Sequence, residues 1–98
     1  MPTYIILGNF TEQGIRTIRD WPQRVDNVRQ VVEAAGGTLQ LFLTMGQYDL
    51  VAILNLPSDE VAATVALSVG SLGNVRTDTL KAFSEEEARR IIQGLPNA

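Results

Sequence analysis

The 98-residue sequence contains no cysteine and no histidine. Without cysteine there is neither a disulfide framework nor a thiolate metal site, and the redox compartment is left open. Without histidine, a Ser-His-Asp triad, a His-ligated haem and His-based zinc or facial-triad iron centres are out of reach. Any catalysis falls to Tyr, Asp, Glu, Arg, Lys or backbone groups, and the composition points to no cofactor. Basic charge is also short, since 8 Lys and Arg stand against 11 Asp and Glu for a net charge of -3. Phosphate contacts need clustered Lys and Arg, so nucleic acid is not an expected partner. No run approaches the roughly 20 apolar residues that span a bilayer, and "MPTYIILGNF" lacks the basic region and long apolar core of a signal peptide. A cytoplasmic protein without a membrane partner is therefore expected. Repeats, low-complexity tracts and linkers are absent as well.

What is present is a globular composition, 45% hydrophobic and 19% charged, read as one domain over residues 1–98. "TYIILGNF", from Thr3 to Phe10, is β-branched and aromatic and reads as a strand, with Thr11 able to cap a following helix. Ile15, Ile18, Val25, Val28, Val32 and Ala35 recur at helical spacing, except across "DWPQR". Pro22 should bias Trp21 away from helical angles, so a short helix near 11–19, a break at Asp20 to Pro22 and a longer helix closed by Gly36-Gly37 are expected. "TLQLFLTM" and "YDLVAILNL" read as strands joined at Gly46-Gln47 by a two-residue type II′ turn. A helix starts at "PSDE", "GNVRTDTLKAF" gives a polar fourth strand suited to an edge, and Ser84 with Glu87 opens a C-terminal helix in capping-box spacing. The order is α+β and ferredoxin-like, βαββαβ: a four-stranded antiparallel sheet with helices on one face and strands one and three in its centre.

A sheet with helices on one face and water on the other should alternate in every strand. "IIL" in the first strand and "LVAILNL" in the third are apolar on both parities. Both faces of those strands should therefore be covered, and a chain of this length has nothing left for the second face. A second copy, packed sheet to sheet as a dimeric α+β barrel, is the economical cover.

The motifs "TEQGI", "AGGTL", "TMGQYDLV", "PSDE" and "GNVRTDTLKAF" occur in this order over nearly the whole chain. Together they resemble the GYD family of small prokaryotic proteins, in which a Gly-x-Tyr-Asp element recurs. The resemblance implies a dimeric α+β barrel and leaves the biochemical role open. A weaker similarity, carried by Gly46-Gln47-Tyr48-Asp49-Leu50, Val75-Arg76-Thr77 and Thr79, is to the small-ligand-binding domain of Lrp/AsnC regulators. That family uses the hairpin near effector sites at subunit interfaces, but these residues carry no helix-turn-helix domain.

Four residues are candidates for a ligand site: Tyr48, Asp49, Arg76 and Gln13. Asp49 either accepts backbone or hydroxyl hydrogen bonds where the third strand begins, or borders a pocket with Tyr48 as a cation ligand or desolvated base. Arg76 either snorkels from an edge strand or clamps a carboxylate or phosphate, or pairs with Asp49. Gln13 and Gly14 could line a pocket mouth. Arg16, Arg19, Arg24 and Arg29 read as a solvated face neutralised by Asp20, Asp26 and Glu33, and Trp21 as a hydrophobic anchor. "GSLGNV" lacks the dinucleotide spacing, and Glu85 to Glu87 read as helix-start charge rather than a metal cluster. Two functions follow: an oligomeric small-ligand-binding or accessory protein that pairs with itself, and, as the alternative, a cofactor-independent isomerase or oxygenase acting on a small acidic compound.

Overall fold

The computed structural model describes residues 1–97. The chain runs β1 (Thr3–Phe10), α1 (Glu12–Arg16), a 3-10 turn at Ile18–Asp20, α2 (Trp21–Ala34), β2 (Thr38–Leu43), β3 (Leu50–Asn55), α3 (Asp59–Ser71), β4 (Val75–Ala82) and α4 (Glu85–Gln93). The four strands form one antiparallel sheet in the order β2-β3-β1-β4, so the apolar β1 and β3 are central and the polar β4 is an edge.

Caps set the helix starts. Thr11 accepts from the Gly14 N–H, Ser58 from the Val61 N–H, and Ser84 and Glu87 exchange both bonds of a capping box. Pro22 does not interrupt a helix as its sequence context suggested. Trp21 is itself helical, at φ -56 and ψ -42, and Pro22 lies in the first turn of α2. There the missing N–H would have had no helical acceptor, and the preceding 3-10 turn already delivers the chain in helical geometry.

The hairpin also differs from expectation. Leu43 is the last residue of β2 to pair, with Leu50, and the Thr44 N–H then donates to the Asp49 carbonyl at 2.8 Å. The connection is thus four residues, Met45 to Tyr48, and Tyr48 sits in the loop rather than on β3. Gly46 takes φ +145, a conformation that side chains disfavour. The longer loop wins because Asp49 is held from the far side: its N–H donates to the Gly8 carbonyl and its carboxylate accepts from Phe10.

Residues alternate along both central strands. Tyr4, Ile6, Ala52 and Leu54 point to α2 and α3 and join Val32, Leu56, Ala62 and Val65 in one core. Leu54, Leu56 and Val32 are its fully buried side chains. Ile5, Leu7, Val51 and Ile53, on the other parity, are only half-buried. The cover expected for that second face does not come from within the described residues.

Candidate functional site

The open face can be read row by row from the register. Thr38, Asn55, Thr3 and Ala82 form the first row, then Gln40, Ile53, Ile5 and Leu80, then Phe42, Val51, Leu7 and Asp78. The first row is tied laterally: Thr3 Oγ1 donates to Asn55 Oδ1 at 2.9 Å, and Asn55 Nδ2 donates to Thr38 Oγ1 at 3.0 Å. At the opposite end Arg76 pairs across from Asn9. Asp49 precedes Leu50, the partner of Gly8, and so stands on the other side of Asn9. The face is therefore an apolar centre framed by polar rows. Phe42 and Leu80 at its margins are 44% and 48% exposed.

Two of the four sequence candidates lie in that last row. Asp49 Oδ2 accepts the Phe10 N–H at 2.9 Å, which continues the β1–β3 seam beyond its last ladder pair. This is the backbone-acceptor geometry weighed for it from the sequence. Arg76 is exposed and makes no ion pair among the described residues, and it does not reach Asp49 because their strands lie two spacings apart, about 10 Å. Tyr48 is half-buried, and its carbonyl accepts from Thr44 Oγ1 at 2.7 Å. Gln13 lies elsewhere, on α1, where its Nε2 donates to the Leu72 carbonyl at 3.0 Å and to Asn74 Oδ1 at 2.9 Å. There α1 presses so closely on the α3–β4 connection that a Cβ at Gly14 would stand 2.0 Å from the Asn74 carbonyl oxygen.

Sequence reading missed a second group. Tyr4 and Lys81 are paired across β1 and β4 on the helix-facing side, and Asp59 opens α3 above them. The buried Tyr4 hydroxyl donates to Asp59 Oδ1, and Lys81 Nζ lies 3.1 Å from the same oxygen. The hydrogen bond to Asp59, helped by burial and by the carboxylate charge, pushes the Tyr4 phenol up to about 12. The same bond, together with Lys81, holds the Asp59 carboxyl below its ordinary value. The parity of Tyr4 in β1 was legible; its partner 55 residues away was not.

The solvated basic face also needs correction. Arg16 pairs with Glu12, but Arg29 donates to the Leu39 carbonyl at 2.9 Å and Arg24 turns inward with no acidic partner among the described residues. Arg24, Trp21, Asn27, Asn74 and Thr77 border a cavity between α2, α3 and the sheet that none of the four candidates lines.

Finally, α4 makes no substantial contact with another element. Its apolar residues Ala88, Ile91 and Ile92, with Leu95 just beyond, recur at helical spacing on one side, and Ile92 is 64% exposed. Among the described residues no acidic cluster could hold a metal ion, and no helix is long and apolar enough to cross a membrane.

The GYD domain family matches residues 4–92 of this sequence. The chain belongs to that family. Among its relatives, the "Glutamine synthetase and cystathionine beta-lyase binding protein" of Thermus thermophilus is 32% identical over 85 residues, covering 85% of this chain and 90% of that protein. The crystal structure of TTHA0845 from Thermus thermophilus superposes with a TM-score of 0.55 at 27% identity, covering 86% of this GYD chain and 95% of that one. The family anticipated from the motifs and the ferredoxin-like fold anticipated from the order of elements are thus both found.

Proposed function

We propose that this GYD protein is a non-catalytic accessory protein that pairs with itself through the open sheet face and offers α4 to an enzyme partner. The observation that carries the reading is the framed open face. An apolar centre bounded by polar rows has the anatomy of a protein interface, and a soluble chain this small rarely leaves such a patch to water. A second copy related by a two-fold axis would present the same rows in return, and the exposed Arg76 and Asp78 give each copy one charge of either sign to place against its mate.

The α4 helix is a different kind of surface. A nine-residue helix is marginal in isolation even with its capping box, so its apolar stripe needs a groove to lie in. Residues at i, i+3, i+4 and i+7 are the anchors of helix-in-groove recognition. The name of the Thermus thermophilus relative makes glutamine synthetase and cystathionine β-lyase the first partners to try. The enzyme alternative has less to work with in the cavity beside Arg24, whose polar lining of Arg24, Asn27, Asn74 and Thr77 includes no carboxylate or phenol to act as a base, so it would fall to the separate pocket lined by Tyr4, Asp59 and Lys81.

Co-elution with each of the two enzymes tests the reading. The intact protein is expected to co-elute with at least one, and Ile91→Lys, which charges the α4 stripe, to release it while leaving self-association unchanged. Co-elution with neither enzyme, or co-elution untouched by Ile91→Lys, contradicts the assignment of α4.

A further inference from the structure

The cavity behind the sheet has a volume of about 130 Å³. Its walls are Ile6, Leu41 and Leu50 from the sheet, Val28 from α2, and Val65 and Val69 from α3. An apolar cavity of about 150 Å³ is enough to take up benzene, so a space of this size and lining suits a small apolar group. Among the described polar residues of the lining, Arg24 alone is charged.

Arg24 is half-buried. Its Nη1 donates to Thr17 Oγ1 at 2.9 Å and its Nη2 makes a long contact of 3.4 Å to the Gly14 carbonyl, while its buried Nε has no partner among the described residues. The ion pairs of the described residues join Arg16 to Glu12, Lys81 to Asp59, Arg89 to Glu85 and Arg90 to Glu86, leaving Arg24 without a counter-charge. A cation withdrawn from water without a neutralising partner is costly, and a guanidinium with an unused N–H is best answered by a planar carboxylate. Asn74, also in the lining, already has its Oδ1 engaged by Gln13, which leaves its amide N–H groups as further donors.

We propose that this cleft binds a small hydrophobic monocarboxylate, its carboxylate on Arg24 and its apolar tail in the cavity between α2, α3 and the sheet. Arg24 is the sole charged side chain lining the cavity among the described residues, which favours one negative charge over two. Neither the cavity nor Arg24 belongs to the open sheet face or to α4, so the assignment stands or falls apart from the accessory reading.

Trp21, the single tryptophan, lines the cavity and reports its occupancy directly. Titration with 3-phenylpropionate, followed by Trp21 fluorescence and by calorimetry, is expected to show saturable binding. Its neutral amide, 3-phenylpropionamide, should bind at least about tenfold more weakly because it forfeits the charge-assisted bond. Arg24→Gln should erase the preference for the acid. Ala66→Leu, which adds bulk to the apolar lining from α3, should weaken acid and amide together. A thermal unfolding transition recorded for each variant shows that it is folded. The proposal is overturned if the folded wild-type protein shows no saturable binding of the acid, if acid and amide bind equally, or if acid binding is unchanged in both variants.

Discussion

The two faces of the sheet are built from the same strands and nearly the same residue types, yet they have opposite fates. Leu54 and Ile53 are neighbours in β3; Leu54 is 1% exposed beneath the helices, while Ile53 stands half-covered on the open side. What separates them is whether the chain supplies a cover. The connections from β1 to β2 and from β3 to β4 both place their helices, α2 and α3, on the Leu54 side, and α4 folds onto neither face. Apolar content on both parities therefore covers two different faces, one buried within the chain and one that the proposed self-association would bury.

The largest test of that contrast is a pair of truncations. Leu54→Ala removes fully buried volume and should lower unfolding stability by about 2–5 kcal/mol without altering self-association. Ile53→Ala, one residue away, should cost the isolated chain less than about 1 kcal/mol, because it empties no closed space. Denaturant titration at two protein concentrations separates the effects: the Leu54 loss is independent of concentration, whereas the Ile53 loss grows with protein concentration, as association stabilises the wild type more than the variant. Equal, concentration-independent losses at both positions would erase the distinction between the faces.

A smaller effect is expected in the last row of the open face, at Asp49. Asp49→Ala leaves the Phe10 N–H without its acceptor and should destabilise by about 1–3 kcal/mol, whereas Asp49→Asn keeps an acceptor oxygen and should cost clearly less. Chemical denaturation of the three proteins decides this. If Asn is as damaging as Ala, the charge rather than the backbone contact is what Asp49 supplies.

The smallest effect concerns pH and belongs to the helix-facing side. The Asp59 carboxyl is depressed, so the stability it contributes is present above its unfolded value near 3.8 and is lost as pH falls through the lower folded value. The Tyr4 phenol is raised from 10.0 to about 12, so its contribution is present below 10.0 and is lost as pH rises toward 12. Tyr4→Phe should flatten both limbs of a melting-temperature profile, and Ile53→Ala neither. A profile unchanged by Tyr4→Phe would mean that the pair is not coupled to folding.

Local signals carried most of the fold. β-Branched and apolar runs of strand length placed β1 and β3, period-3.6 spacing placed α2 and α3, and short-range side-chain bonds at Thr11, Ser58 and Ser84 marked helix starts in the sequence itself. What the sequence hid was long-range. Asp49 is tied to a residue 39 positions away, and that bond, rather than turn preference, sets the hairpin loop. Arg24 looked like one of several solvated arginines because charge counting along a helix does not reveal which side chain turns inward. The pairing of Asn9 with Arg76, and the place of Asp49 beside it, likewise emerge only once the register is known.

The central claim is that the open face is an interface between two copies. Light scattering on the size-excluded protein at micromolar concentration measures it most directly, with Ile53→Lys as the comparison, since a lysine there would put an unpaired charge in the centre of the contact. The account predicts twice the 10.7 kDa chain mass for the wild-type protein and a single chain mass, or insoluble protein, for the variant. A wild-type protein that elutes as a stable 10.7 kDa monomer would contradict it.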